Sequence, residues 1–323
     1  MSVAVFPEPI DVASFAEDLR SGLLTESQRT IPSKYLYDEV GSTLFEVICV
    51  LSEYGLTRAD TRLLIRHAPS WVSQLPAKTC IAELGSGSSK KTRLILEALA
   101  QRQETTFFPI DISRAALAQC ARELGDIPNL TISGLHMEYL PGLHEAKARR
   151  QKKGPLLVLF LGSTIGNFDR ESGERFLRSV REQLSPGDFM LLSSDLVKSE
   201  AELVLAYDDV AGVTAAFDKN VLARINRELD ADFDLSQFVH QARWNREARR
   251  VEMHLLARRN MTVHIRKAHL QIDLAAGETI KTEDSYKFET EEIRALAQRC
   301  GFHCKEQWVD SDWAFAQSLL VAE

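Results

Sequence analysis

The residues best placed to do chemistry lie in Cys80–Arg93, CIAELGSGSSKKTR. A short apolar run with an acid, Glu83, near its end gives way to Gly85, Ser86 and Gly87. Two serines follow, then the amphipathic TRLILEALA. This pattern predicts strand, tight glycine turn, helix. Glycine admits positive φ and lets the backbone approach a ligand, and the free N–H groups of the new helix favour negative charge there. Lys91 falls in the first helical turn, where the helix dipole disfavours a cation. Pairing with a carboxylate of a bound molecule would account for it. The next apolar run, TFFPID, ends on Asp111. A glycine turn closing one strand and an acid closing the next is the nucleotide-ribose pattern of doubly wound α/β folds. The spacing is E-x-G-x-G, not G-x-G-x-x-G. With no pyrophosphate to cradle, it suits S-adenosylmethionine better than a dinucleotide. The plain alternative is a structural turn with a surface Asp, and an acid near the end of both strands weighs against it.

Further candidates lie downstream. Leu161-Gly-Ser-Thr-Ile-Gly-Asn167 follows the most apolar run of the chain, and strand ends carry ligands in open α/β sheets. Asn167 offers an amide donor and acceptor to a substrate's carboxylate or amine; the competing reading is a helix cap. Glu283 and Ser285, two apart in an extended segment, point to one side, and a carboxylate with a hydroxyl suits a ring N–H or a cation. Alone, the pair reads no better than a surface acid beside a serine. Tyr54 and Tyr207 are candidates as phenols or as half-buried packing tyrosines. Met253 and His254 alternate along one strand, so one faces the core; His254 reads as a surface or satisfied histidine. No Ser–His–Asp or Cys–His order stands out.

Helical periodicity over Ile10–Leu24, with Ser14 as a candidate cap, opens a region of some eighty residues that reads as helical throughout. Ser52–Arg58 reads as a polar, glycine-containing connection. From Cys80 the rhythm becomes strand and helix: CIAEL, TFFPID, NLTISGL, PLLVLFLG and DFMLLSSDLV alternate with helices at Lys91–Arg102, Ser113–Leu124 and Arg170–Leu184. Continuous apolar strands alternating with helices mean a parallel sheet covered on both faces. The alternation stops after Asp195. Lys198–Arg227 reads as helix and three β-like runs follow, VEMHLLARR, MTVHIR and HLQIDL, so this block to about Phe288 has the pattern of an inserted lobe. A helix over Glu291–Cys300, with Thr290 as cap, precedes strands at His303–Val309 and Trp313–Val321. That terminal hairpin fits a seven-stranded methyltransferase sheet, whose last strand is antiparallel.

The chain has 323 residues, 45% hydrophobic and 26% charged, with a net charge of −7, which weighs against a nucleic-acid partner bound on a broad basic face. The one basic cluster, Lys147–Lys153, lacks interleaved aromatics and reads as a solvated loop. No signal peptide or membrane-spanning run is evident. Five cysteines without a second close pair to join Cys300 and Cys304 predict free thiols in a reducing cytoplasm and no metal site. The expected state is a monomer acting on a small molecule.

With these residues in view, the sequence resembles the histidine-specific, S-adenosylmethionine-dependent methyltransferases that make hercynine on the route to ergothioneine. The likeness runs through SKYLYDEVGSTLFE, AELGSGSSKKTR, FLGSTIGNF, AYDDVAGVTAAFDKNVLARINRELDADFD, VEMHL and TEDSYKF. It implies an α/β, class I methyltransferase core at 59–196 and 288–323, with a seven-stranded doubly wound sheet and terminal β-hairpin. It also implies a mixed α+β substrate-binding lobe at 1–58 and 197–287. Gly85, Gly87, Lys91 and Asp111 match the family's cofactor residues. Glu138 and Tyr139 stand where the family has Asp-Phe near the adenine. Asn167 and Tyr207 are similar to residues holding the amino acid's backbone groups. Tyr54, Glu283 and Ser285 are similar to those around the imidazole, and Met253 to a methionine lining the same pocket. No general base stands out; Tyr37 or water would assist. The family's Glu-Tyr-Tyr-Pro-Thr-Arg appears here as Glu53-Tyr54-Gly55-Leu56-Thr57-Arg58, which suggests a looser loop or another side chain in the pocket. Relatives acting on tryptophan-like amines keep a second substrate class open, and a non-catalytic sensor of the cofactor or of histidine is the reading from another class.

Overall fold

A computed structural model describes residues 12–25, 27–150 and 154–323. They form two compact units, one of Gly55–Val197 with Lys287–Glu323, the other of the described residues up to Tyr54 with Lys198–Tyr286.

The first unit is built on seven principal strands: β1 (Cys80–Leu84), β2 (Thr105–Asp111), β3 (Leu130–Ile132), β4 (Leu156–Phe160), β5 (Phe189–Asp195), β6 (Phe302–Asp310) and β7 (Phe315–Ala322). Their order across the sheet is β6-β7-β5-β4-β1-β2-β3. β1 to β5 are parallel, while β7 runs antiparallel to β5 and β6. This is the expected sheet with its terminal hairpin. The predicted strand NLTISGL is broken at Ser133-Gly134, and Leu135–His136 resumes the line as a separate short strand against β2. Every residue of β1, β4 and β5 is buried, as a parallel sheet covered by helices on both faces requires.

Several local expectations are corrected. Helix Gly55–Ser73 begins inside the stretch expected to be a polar connection. Gly55 and Leu56 are buried, and a Cβ at Gly55 would come within 2.1 Å of the Trp313 ring. The unusual Gly-Leu pair is therefore a packed helix start, not a loose loop. The helix after the glycine turn starts at Arg93, so Lys91 precedes it. Tyr139–Arg149 is a helix running into the supposed solvated loop. Pro141 sits in its first turn, where a missing N–H costs nothing, and Gly142 lets it approach Ile110, 2.4 Å from where a Cβ would stand. The final helix, Thr290–Arg299, is capped by Glu289 and Glu292 acting reciprocally, rather than by Thr290.

In the second unit, helices Val12–Leu23, Glu39–Ile48, Glu200–Tyr207 and Val213–Leu229 accompany a four-stranded sheet. Ser14 lies inside the first helix rather than capping it; Ile10 lies outside the described residues. The predicted helix over Lys198–Arg227 is two helices. The break is Asp208–Gly212, where Gly212 takes φ +74°, and the Asp209 carboxylate accepts from the Val213 and Thr214 N–H groups. The sheet order is Arg29–Thr30, Thr279–Tyr286, Arg250–Ala257, Phe238–Asn245, which places a strand in an N-terminal region read as wholly helical. Met261–Ile265 and Leu270–Leu274 form a separate hairpin.

One irregularity of this sheet decides what faces inward. Thr279–Tyr286 and Arg250–Ala257 pair Ile280 with Leu255, then, after a bulge at Thr282, Glu283 with Met253 and Ser285 with Val251. Cross-strand partners share a face and the side-chain period is two. Without the extra residue Glu283 and Ser285 would follow Lys281 to the other face; the bulge turns them to the face that carries Ile280, Met253 and Leu255.

Candidate active site

In the first unit the chemistry-bearing residues gather at the carboxyl ends of β1, β2, β4 and β5. Gly85 and Gly87 have φ of +71° and +51°, conformations open to glycine. A Cβ on Gly87 would project into open space, and one on Gly85 would stand 3.2 Å from the Tyr139 hydroxyl. The Gly85 and Ser86 N–H groups bond the Ile110 carbonyl. Asp111 accepts from Gly87 N at 2.9 Å and from Ser113 N at 2.8 Å, which ties the two strand ends together. Burial raises its carboxyl above the ordinary range against the pull of those two N–H groups. With its several acceptor sites, the carboxylate keeps capacity beyond these backbone partners.

Glu83 is an internal brace. It is 3% exposed and accepts from Thr92 Oγ1 at 2.6 Å and Ser89 Oγ at 3.0 Å. Burial pushes its carboxyl up to about 7, with the Thr92 and Ser89 hydroxyls working the other way. Ser86 Oγ, in the same turn, is buried with no hydrogen-bond partner among the described residues.

Lys91, expected to meet a carboxylate of a bound molecule, has one within its own unit. Its Nζ lies 2.5 Å from Asp60 Oδ2. Asp60 is fully buried and also accepts from Gly162 N at 3.0 Å, Ser193 Oγ at 2.7 Å and Gln317 Nε2 at 2.6 Å. One carboxylate thus fixes Lys91 against the β4 turn and against β5 and β7. Sequence reading passed over Asp60, although an acid inside the apolar stripe Leu56, Ala59, Leu63, Leu64 is a signal in itself.

Tyr139 opens its helix, packed edge-on against Phe160 and Phe176 at 5.7 and 5.9 Å between centroids. Its phenol is raised by burial, with the Asp111 charge adding to it. Glu138, the residue before it, is exposed. Asn167 closes a short 3-10 turn, Thr164–Asn167. The cap of the following helix is Asp169, which accepts from Ser172 N at 2.7 Å, so the capping role weighed for Asn167 belongs to its neighbour.

In the second unit the structure brings Tyr54, Tyr207, Met253, Glu283 and Ser285 together, each less than a tenth exposed. Tyr207 Oη and Ser285 Oγ share a 2.7 Å hydrogen bond. The Tyr54 and Tyr207 rings meet edge to face at 5.9 Å. Burial raises the Tyr54 phenol well above its ordinary value, and the nearby Tyr207, Cys49, Tyr37 and Glu283 add to the rise. Tyr37 packs edge-on against Phe45 and Phe217 at 5.5 Å each. His254 is buried rather than superficial and satisfied by Glu252 and Thr279. Sequence reading missed Asp218, His240 and Thr282, which stand behind this cluster. His240 Nδ1 is 2.7 Å from Asp218 Oδ2, His240 Nε2 is 2.7 Å from the Tyr207 carbonyl, and Thr282 Oγ1 donates to Asp218 Oδ1 at 2.5 Å.

The strand order, the reversed last strand and the acid-braced glycine turn define a class I methyltransferase core. The profile of the family described as "Histidine-specific methyltransferase, SAM-dependent" matches residues 15–322, and the chain belongs to that family. It is 40% identical over 306 residues to a histidine N-alpha-methyltransferase of Mycolicibacterium smegmatis, covering 94% of each chain. It is 40% identical over 309 residues to the protein of that name from Mycobacterium tuberculosis, again covering 94% of each. Among solved structures it is similar to magnesium protoporphyrin IX methyltransferase of Synechocystis, at 11% identity and a TM-score of 0.45 over 88% of this chain and 95% of that one. The glycine turn fits the family's cofactor: open space at Gly87, an orphaned buried hydroxyl at Ser86 and spare acceptor capacity on Asp111.

Proposed function

We propose that this protein transfers methyl groups from S-adenosylmethionine to the α-amino group of L-histidine, up to three times, giving hercynine. The observation that carries the reading is Glu283, a carboxylate 8% exposed, turned by a bulge onto the same sheet face as Ser285. A buried carboxylate beside a hydroxyl matches an imidazole N–H, whereas an indole gives it less to bind.

In this reading Gly55–Val197 with Lys287–Glu323 holds the donor and the other unit holds most of the amino acid. Gly85, Gly87 and Lys91 take the donor's amino-acid end, Asp111 its ribose, and Glu138 and Tyr139 its adenine. When bound, the donor supplies a methyl already activated on a sulfonium. The protein's work is to align the acceptor and exclude water. Asn167 and Tyr207 hold the substrate's carboxylate and amine, Tyr54, Glu283 and Ser285 hold the ring, and Met253 lines the pocket. A dry pocket that binds the amine through hydrogen bonds favours its neutral, nucleophilic form. Tyr37, packed against Phe45 and Phe217, is the side chain nominated to help the proton leave. The enzyme is read as a cytoplasmic monomer that needs no metal, and a nucleic-acid partner is disfavoured by the net charge of −7. Among the described residues no helix is long and apolar enough to cross a membrane.

Mass spectrometry of histidine incubated with protein and donor tests the reaction: mono-, di- and trimethylated histidine should accumulate in turn. Methylation of tryptophan or another amine with histidine left untouched would overturn the substrate assignment.

A further inference from the structure

The bonds of His240 fix its protons. Its Nε2 faces a backbone carbonyl, which only accepts, so that nitrogen carries hydrogen. Its Nδ1 faces Asp218 at 2.7 Å, a second line that must hold a proton. The Thr282 hydroxyl donates to the other oxygen of Asp218, so that carboxyl group serves as an acceptor on both sides and the second proton is placed on the ring. His240 and Asp218 are both buried, as is Thr282. The charged groups bearing on His240 are carboxylates: Asp218 from helix Val213–Leu229 and Asp208 just past helix Glu200–Tyr207. The neighbouring strand offers only Leu255 opposite it. Burial opposes the charge on the ring, and Asp218, the Tyr207 carbonyl and Asp208 together more than offset that, leaving its pKa raised.

We infer that Asp218 and a doubly protonated His240 form a buried clamp that positions both halves of the substrate cluster, Tyr207 through its carbonyl and the Glu283–Ser285 pair through the Thr282 bulge. The inference rests on reading that cluster as the histidine site. None of the three need touch substrate; they act through residues that do. Asp218 is joined to both sides at once. Losing its charge frees the Tyr207 backbone and loosens the extra residue that aims Glu283 and Ser285 inward. Because the folded pKa of His240 is raised, the clamp is complete below 6.5, the ordinary imidazole value, and is lost as pH climbs through the folded value.

The test has two arms. In the full-length protein, ring nitrogen NMR of His240 at pH about 6.5, where a free imidazole is half titrated, should show both nitrogens protonated, with the second proton lost only at higher pH. One bare ring nitrogen there overturns the proposal whatever the substrate proves to be. In kinetics, Asp218→Asn should raise KM for histidine roughly 10–100-fold, the scale of a small misplacement, with the donor's Kd unchanged. The rise of that KM with pH in the native enzyme, over the range where His240 titrates, should vanish in the variant. Thr282→Val, which removes one hydroxyl only, should shift the histidine KM in the same direction and keeps the test open if the Asn variant fails to fold. Equal losses for donor and histidine, or none for either, would reduce the clamp to ordinary packing. If the native enzyme turns over no histidine at all, the substrate assignment fails and the NMR result stands on its own.

Discussion

Glu83 and Glu283 are both buried carboxylates at strand positions, yet the demands on them differ. Glu83 is used up by Thr92 and Ser89, inside the turn it braces. Its folded form holds a proton more tightly than the unfolded chain does, so stability falls as pH climbs from 4.5 to about 7. At 1.36 kcal/mol per unit the effect is on the order of 3 kcal/mol. Glu83→Gln should flatten the melting temperature across that interval. An unchanged slope would show that the carboxyl ionises in the folded protein as easily as in water. Glu283, on the proposed substrate face, should behave otherwise. Glu283→Ala is expected to raise KM for histidine at least tenfold, about the value of one lost charge-assisted hydrogen bond, and to leave the donor's KM alone. Equal effects on both would remove Glu283 from the pocket. At this scale the sequence was informative where residues break a pattern, as at Gly85, Gly87 and Asp111. It was less so for Asp60, whose partners Gly162, Ser193 and Gln317 are remote along the chain. Asp218 was equally hidden, because His240 and Thr282 stand on separate strands that meet it only once the sheet has formed.

Element by element, the parallel sheet was legible because its central strands are apolar runs, and the terminal hairpin because Asp310-Ser-Asp312 separates a mixed stretch, His303–Val309, from a largely apolar one that ends at Val321. Strand Phe238–Asn245 was not, since the inward-facing positions beside Met253 and Leu255 are Ala242 and His240, which give no apolar alternation. Helix Tyr139–Arg149 was hidden by Pro141 and Gly142, two residues that usually end a helix and here only begin one. The bulge at Thr282 was invisible, because nothing in KTEDSY marks an extra residue; the expectation that Glu283 and Ser285 share a side was correct, but which side depends on it. The Gly55 helix start yields a direct prediction. A methyl group there collides with the Trp313 ring at 2.1 Å, so Gly55→Ala should destabilise the protein by about 1–3 kcal/mol, the range for overpacking. Trp313→Leu should recover part of the loss when the two are combined. An unaltered melting temperature for the single variant would mean the hairpin turn yields freely.

For the whole molecule, the chain passes between units at Tyr54/Gly55, Val197/Lys198 and Tyr286/Lys287. The proposed donor residues all lie in one unit and the aromatic cluster in the other. Hydrogen exchange should separate the two ligands. The donor alone should protect the amides of the Gly85 turn and the start of β3's preceding helix at Ser113, and histidine should protect Thr279–Tyr286 and the end of helix Glu200–Tyr207. Protection by histidine confined to the first unit would move the amino-acid site. Composition and charge spoke to this scale only by exclusion; the proposed division of labour came from the interruption of the strand-helix rhythm after Asp195.

Where the chain leaves the sheet and where it returns, Leu196 and Phe288 lie side by side as a parallel bridge, and Lys287 is locked to Asp195 by an ion pair 2.9 Å long with both side chains fully buried. Departure and return are therefore a strand's width apart, sealed by a bond that does not depend on the length of the loop between them. A segment hung from such a doorway can be lengthened, replaced or traded for another without redrawing the sheet. On the proposed reading, in which that segment and the N-terminal strand paired with it hold the acceptor, one catalytic chassis gains a way to acquire new acceptors by changing them together.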